Sequence, residues 1–478
     1  MSWDDLNDAE VLDLDFAGAE PTNEVLLEHP WLQVCERVAR EQGFFHWELD
    51  FAPVFARGGF DLQVGNPPWV RPRADVDALL AESDPWWQLA IKPKQEVVKA
   101  RRLRTLELPG ARDLVLVGTG ETASLAAFLG APQEYPGLAG LQPDLYRCFV
   151  LQTWNHRSKR GVSALIHPET HFTDEKAQRL REACYARLRR HWQFVNSLLL
   201  FEIKDNKRYG VHVYSSERAA PSFLNAACLY HPDTVTRSLR HDGSGMEPGL
   251  RTAEGEWDLS PHSGRIVTVN PDVLSSWRDV LEDPSKPRGS TRMLFLPNSS
   301  SLEVLKKLRA GATLGEGDYS YCAGWVEGST QAADVIDVEY GVPESWESVV
   351  LQGVHLYVAN PRYKFPNASM SSNQDWSLQD LESLEPDSLP TTTFKPIVDM
   401  STYRQKFPVW DEGRQSSLDF YRIAWRAMAD NVGKRTMLPV LIPKGAAHVD
   451  SVFTMGNVEA TGEELALLAA GLSSFLVD

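Results

Sequence analysis

The chain has 478 residues, 43% hydrophobic and 24% charged, enough for two or three cores and ordinary for a globular protein. No window approaches the ~20 apolar residues of a membrane span, and the net charge of −17 argues against a chain that binds nucleic acid by bulk charge. The five scattered cysteines (Cys35, Cys148, Cys184, Cys228, Cys322) include no CxxC pair, the pattern of reduced cytoplasmic thiols rather than of a disulfide framework or zinc site.

The first 36 residues hold ten acids and no Lys or Arg. With no basic n-region and no apolar h-region, residues 1–43 read as an acidic lead-in rather than a signal peptide. "NEVLLEHPWLQVCERVAREQG" predicts a helix interrupted by Pro30. "FFHWELDFAPVFARGG" leads into a buried strand, "FDLQVG", which must end at Asn66-Pro67-Pro68-Trp69 because consecutive prolines donate nothing to a ladder. Residues 73–110 are polar and basic. "RDLVLVGTGETASLAAFLG" reads as a short apolar strand, a Gly-x-Gly turn and a helix. "PDLYRCFVLQTWNHRSKRG" reads as a helix closed by Gly161, from the recurrence of Leu145, Phe149 and Trp154.

"VSALIHPETHF" is then a buried strand, "TDEKAQRLREACYARLRRHW" a helix with Thr173 as N-cap, and "FVNSLLLFEI" and "GVHVYSSE" two strands joined by "KDNKRY". This alternation of strand and helix predicts an α/β layer with largely parallel strands, within a portion spanning 44–230. Residues 231–300, rich in Pro, Gly, Ser and charge, read as an irregular connector. Residues 301–478 form a mixed region, with strands at "SVVLQGVHLYVAN" and "MLPVLIP" and helices at "SLDFYRIAWRAMADN" and "GEELALLAAGLSSFL".

The chemistry sits in Asn66-Pro67-Pro68-Trp69. In open α/β sheets ligands bind at the carboxyl ends of strands, which is where this loop lies. Its prolines stiffen the turn, so the Asn66 side-chain carbonyl and the Pro67 backbone carbonyl can point into one space. Two fixed acceptors suit a planar amino group with two N–H donors. Holding it this way favours a pyramidal nitrogen whose lone pair can attack an electrophilic methyl group. Trp69 can stack on the base that carries the amine, at ~1–3 kcal/mol. A base inside a duplex must be flipped out to reach such a loop.

"GGFDLQVGNPPWVRP" resembles motif IV of the amino-methyltransferases that modify adenine at N6 in DNA. "FHWELDFAPVF", "DLYRCFVLQTW" and "GVSALIHPETHF" resemble one branch, the large type IIG-like restriction–modification methylases, which also occur in phage-defence systems. "YRQKFPVWDEGRQSSLDFYRIAWRAMADNVGKRTMLPVLIPKGAAHVDSVF" resembles their target-recognition region. The resemblance implies an incomplete Rossmann-like class I methyltransferase sheet followed by a mixed α/β target-recognition domain over 301–478. It also implies a cytoplasmic enzyme acting on double-stranded DNA with S-adenosylmethionine as cofactor. Asn66, Pro67 and Trp69 would hold and stack the flipped adenine, with Pro68 shaping the loop, and Tyr146 and Phe149 would line the cofactor or base pocket.

The pattern departs from the family in one respect. A glycine-rich cofactor loop should precede motif IV, and none does. The Gly-x-Gly of "LVLVGTGETA" falls after it, between motifs. The chain therefore resembles the middle portion of a larger methylase, and a partner chain carrying the cofactor loop is expected. The rival readings are a DNA-binding specificity subunit without catalysis, an inactive fragment of such an enzyme, and a nuclease. The last rests on Glu202-Ile203-Lys204, whose required acidic partner is missing because Asp174 opens a helix. Cytosine N4, guanine N2 and glutamine amides remain other possible amines. His46, His167 and His171 show no metal-ligand spacing, and no metal is expected. Three basic runs, Lys92–Arg104, Asn155–Arg160 and Arg179–Trp192, are candidates for contacting phosphate.

Overall fold

The computed structural model describes residues 22–91, 93, 95–283, 285–308, 314–368, 370, 375–385, 387–410, 415–428 and 435–474. It divides into two compact units, Met1–Lys306 and Lys307–Asp478. The acidic stretch up to residue 21 and the last residues of the C-terminal predicted helix, 475–478, lie outside the described residues. Among the described residues no helix is long and apolar enough to cross a membrane.

The first unit is built on a six-stranded sheet of β1 (Phe60–Gly65), β2 (Arg157–His167), β3 (Leu188–Val195), β4 (Arg208–Tyr214), β5 (Phe223–Leu229) and β6 (Val267–Val269), in the order β1-β2-β4-β3-β5-β6. The α/β class expected from the sequence is present. The sheet is mixed rather than largely parallel: β1–β2 and β3–β5 run parallel, while β2–β4, β3–β4 and β5–β6 run antiparallel. The connection from β3 to β4, residues 196–207, contains a 3₁₀ turn but no α-helix, whereas a parallel crossover usually needs one. β4 therefore turns back beside β3 and wedges between β3 and β2.

Several elements differ from expectation, each for a local reason. "LVLVGTGETA" forms no strand and no turn. It lies within one helix, Ala111–Leu129, in which the Thr122 hydroxyl donates to the Gly118 carbonyl at 2.9 Å. Gly118 is where this helix meets the Val76–Ala81 helix, since a Cβ there would stand 2.8 Å from Leu79 Cδ2. The "DLYRCF" helix is Leu145–Asn155 and stops before Gly161. Gly161 lies inside β2, where a Cβ would approach the Phe60 carbonyl oxygen to 2.4 Å, beside a shift in the β1–β2 register.

The helix expected to start at Thr173 is Gln178–Arg187, preceded by a 3₁₀ turn whose first amides are capped by Asp174. "RRHW" belongs to β3, and "NSLLLFEI" is a loop. β1 is not buried. Among the described residues it is an edge strand paired with β2 alone, and Leu62 and Val64 are 64% and 74% exposed. Residues 231–300 supply β6 and the helices Pro232–Ser238 and Pro271–Leu281, and Val269, Leu274 and Trp277 join the core of the first unit.

The second unit centres on a four-stranded antiparallel sheet in the order Val440–Ile442, Arg422–Arg426, Val452–Gly456, Ser320–Cys322. "YRIAWR", predicted as helix, is the central strand of this sheet, and Arg422, Ile423 and Ala424 are all fully buried. Burial on both faces overrides helix propensity here. The remainder of that predicted helix, residues 429–431, lies outside the described residues. The helix Gly462–Leu472 forms as expected. Thr461 and Glu464 close a capping box at its start, and Leu465 and Leu472 pack against Ile423 and Met455.

Candidate functional site

β1 delivers Asn66 to the carboxyl edge of the sheet. Gly65 is the last residue in register with β2, opposite Leu165. Beyond it Asn66 and Pro68 are exposed, Pro67 is buried and Trp69 is half-buried. The sequence suggests an exposed Trp69. The indole instead packs against both core clusters of the first unit, and its Nε1 donates to the Ile166 carbonyl at 3.2 Å. The loop is thus tied at its fourth residue to the end of β2.

Its next residues are tied to the "DLYRCF" helix. The Leu145 amide donates to the Val70 carbonyl at 3.0 Å. The Arg71 guanidinium reaches Asp144 Oδ2 and Gln142 Oε1, each at 3.2 Å. Burial pushes the Asp144 carboxyl up from its ordinary value, and the bond from Arg71 opposes that. The prolines and these anchors hold the loop, and Asn66 stays exposed.

A pocket of about 230 Å³ opens here, lined by Asn66, Pro67, Pro68, Trp69, Phe201 and Ile203. All four residues singled out in the loop line it. The opposite wall, Phe201 and Ile203, was not anticipated. It comes from the loop after β3, wound around one buried amide. Asn196 Nδ2 donates to the carbonyls of Phe201 at 3.0 Å and Ile203 at 2.8 Å, while Asn196 Oδ1 accepts from the Phe201 amide at 3.1 Å. Leu199 takes a left-handed conformation (φ 52°) to make the turn. The Phe201 ring lies 6.4 Å from that of Trp69 and edge-on to Tyr209 at 4.9 Å. An asparagine interrupting the apolar run "FVNSLLLFEI" was the available signal for this loop.

Tyr146 and Phe149 are not among the residues lining the pocket. Tyr146 is buried, and its hydroxyl bonds Thr170 Oγ1 at 2.9 Å and His171 Nδ1 at 3.2 Å, with its ring stacked on His167. Burial pushes this phenol up. Phe149 is half-buried on the same helix. Of the histidines considered, His46 is exposed beside Glu48, whereas His167 and His171 are buried. Burial drives the His167 imidazole down to about 3 and that of His171 well below its ordinary value. Glu202 and Lys204 flank Ile203 on the pocket loop and belong to no strand.

Much of the basic charge is engaged within the chain. Arg101 forks onto Asp84 at 2.6 and 2.8 Å, Arg102 meets Asp77 at 2.7 Å, and Arg187 meets Glu217 at 3.0 Å while lying over Trp154. Arg181 is buried on three backbone carbonyls, those of Ser290, His171 and Asp174. Lys159, Arg160, Arg179 and Arg190 are exposed. Lys92 and Lys94 lie outside the described residues.

Residues 10–86 match the family model described as Eco57I restriction-modification methylase. No curated protein matches the chain. Among solved structures, the type IIG restriction endonuclease BpuSI is similar at 12% identity and a TM-score of 0.28, over 87% of this chain and 43% of that one. The ATP-dependent type ISP restriction-modification enzyme LlaBIII, bound to DNA, is similar at 9% identity and a TM-score of 0.18, over 35% of this chain and 10% of that one. This chain thus spans less than half the length of the BpuSI chain. The matched segment, which is similar to restriction–modification methylases, contains β1 and the whole Asn66–Trp69 loop.

Proposed function

We propose that this chain supplies the base-gripping half of a site-specific DNA methyltransferase, in a restriction–modification or phage-defence setting, acting on adenine N6 of a flipped nucleotide. The observation that carries the reading is the pocket in which Asn66, Pro67, Pro68 and Trp69 face Phe201 and Ile203. In it the Asn66 carbonyl and the Pro67 backbone carbonyl accept from the two N–H bonds of the exocyclic amine. Trp69, held by Ile166, offers its face to the purine. The apolar side chains of Phe201 and Ile203 close the opposite wall and keep water from the amine. The exposed Lys159, Arg160, Arg179 and Arg190 are available to phosphates.

The methyl donor in this reading is S-adenosylmethionine, which carries the transferable methyl group. The described residues do not fit a cradle for it. The Gly118–Gly120 segment is helical, so its amides are engaged in the helix and open no loop. The reading assigns the donor's loop to a partner chain that pairs along β1, whose free edge exposes Leu62 and Val64. Tyr146 and Phe149 would then act from beneath the pocket, by holding the helix to whose start the Val70 carbonyl and the Arg71 guanidinium are tied.

The test is methyl transfer from labelled S-adenosylmethionine to duplex DNA by the chain reconstituted with its partner. Asn66→Ala is expected to abolish transfer while leaving DNA affinity nearly unchanged, because phosphate contacts dominate affinity. A parallel fall in DNA affinity would make the loop structural. The lack of a donor cradle among the described residues favours a second reading, a DNA-binding specificity subunit without catalysis. The labelled-methyl assay and a DNA-binding titration separate the two: no transfer in any reconstitution, with DNA binding intact, supports the binding module.

A further inference from the structure

Behind the loop, the sheet interior holds a polar cluster that the pocket does not use. Glu169 follows β2 and is 6% exposed, while His191 on β3 and His212 on β4 are 0% exposed. One ligand-capable atom from each lies within 4.8 Å of the other two. Glu169 Oε1 touches His191 Nε2 and is 4.0 Å from His212 Nε2. The His212 ring is stacked flat on His167, at 3.7 Å between centroids.

Three observations set this cluster apart. Buried polar atoms are nearly always paired. Yet Glu169 Oε2, both ring nitrogens of His212, His171 Nε2 and Gln193 Nε2 have no hydrogen-bond partner here. His191 Nδ1 lies 2.6 Å from Asn225 Oδ1. That carbonyl accepts the Nδ1 proton, which turns Nε2 toward the Glu169 carboxylate. Finally, Gly210 on β4 keeps the space open, since a Cβ there would stand 2.4 Å from His212 Cε1 and 2.7 Å from Glu169 Oε1.

We propose that Glu169, His191 and His212 bind one divalent transition-metal ion, zinc by the character of the ligands. Two imidazoles and a carboxylate are a standard nitrogen–oxygen set for zinc. Tetrahedral bonds of about 2.0–2.2 Å set ligand atoms roughly 3.4 Å apart, so His212 closes on the ion while Glu169 Oε1 and His191 Nε2 separate to admit it. Asn225 orients the His191 ring from behind, the arrangement in which a second partner fixes the tautomer of a liganding histidine. The three buried ligands leave the fourth position of a tetrahedral zinc to a water or a neighbouring group. The ion cross-links the end of β2, where Ile166 holds Trp69, to β3 and β4. The spacing of these residues carries no motif because each ligand comes from a different element, which is why the sequence showed none.

The test needs no DNA and is independent of the methylation reading. The full chain is unfolded with chelator, refolded metal-free and titrated with zinc sulfate. One zinc per chain should survive gel filtration. At ~1,000-fold excess over Kd the first unit's Tm should rise by roughly 5–10 °C. Cobalt(II) in place of zinc should give visible d–d absorption. Glu169→Gln should weaken zinc binding by more than ~100-fold, and Asn225→Ala by ~10–100-fold. A wild-type chain that refolds fully without metal, retains no zinc and shows no rise in Tm overturns the proposal. Zinc binding unchanged in Glu169→Gln does so too. Retention of iron or manganese instead, lost in Glu169→Gln, supports the site and overturns the choice of zinc.

Discussion

Two adjacent glycines test how β1, and with it Asn66, is attached to the sheet. Gly58 and Gly59 both adopt positive φ, 98° and 107°. A side chain at either therefore carries backbone strain of about 1–3 kcal/mol. Their surroundings differ. A Cβ at Gly58 meets nothing within 4 Å, whereas one at Gly59 stands 2.5 Å from the His156 carbonyl oxygen and 2.9 Å from Arg157 C. These are backbone atoms and cannot rotate aside. That carbonyl accepts the first β1 bond, from the Phe60 amide at 2.8 Å. Overpacking adds about 1–3 kcal/mol, so Gly58→Ala should cost ~1–3 kcal/mol and Gly59→Ala ~2–6 kcal/mol. The strain common to both cancels in the comparison. Urea denaturation gives the two costs, and hydrogen exchange over residues 60–69 should show β1 opening more readily in Gly59→Ala than in Gly58→Ala. Equal shifts in the two variants, with β1 exchange unchanged, would refute the claim that close backbone approach at Gly59 sets the start of β1.

Trp69→Ala should destabilise the first unit by ~2–3 kcal/mol, a fully buried tryptophan scaled for half burial, and Trp69→Phe by ~1 kcal/mol for the lost bond to Ile166. Denaturation midpoints check the order, and a larger loss in the phenylalanine variant would contradict it. Val64→Lys should leave stability within ~0.5 kcal/mol yet abolish methyl transfer by the reconstituted enzyme, because a charged edge resists strand pairing; unimpaired transfer removes β1 as the partner's docking edge. In the second unit, burial holds His355 down at about 4 and His448 at about 3. Their folded values lie below the unfolded one near 6.5, so the unfolded chain takes up protons first. The stability they permit is complete above pH 6.5 and is lost as pH falls toward 4 and then 3, by up to ~1.4 kcal/mol per pH unit for each. The urea midpoint of this unit should fall between pH 7 and pH 5, less steeply in His448→Gln, and a flat midpoint would show that these rings are not held neutral.

How far the sequence could be read depended on whether an element's character was decided locally. β1 and its end at Pro67 were legible because proline removes ladder donors wherever it occurs. The capped Gly462–Leu472 helix was legible because Thr461 and Glu464 carry its start signal in four residues. Arg422–Arg426 was misread because its periodicity is that of a segment buried on both faces, and only its two flanking strands make it a strand. The Gly118–Gly120 segment failed in the opposite sense. Glycines suggest a turn by conformational freedom, but here Gly118 serves close packing against Leu79 inside a helix.

The site divides along the same line. Its first wall is four consecutive residues, so chemistry and position could be inferred together. The second wall lies more than 130 positions later and depends on Asn196, whose amide closes a loop on the carbonyls of Phe201 and Ile203. Read alone, those two residues looked like the end of a strand, with Ile203 inside half of a nuclease motif. Their true setting explains why a strand would not serve. In a strand Phe201 and Ile203 would share one face, but Glu202 and Lys204 would be fixed on the other and the backbone would continue the ladder. The Asn196 loop frees the segment from the sheet and brings both apolar side chains over Pro67 and Trp69. The base-facing pocket thus has a rigid acceptor wall set by prolines and an apolar wall set by one buried amide. Asn196→Ala should open the second wall while leaving Asn66 in place.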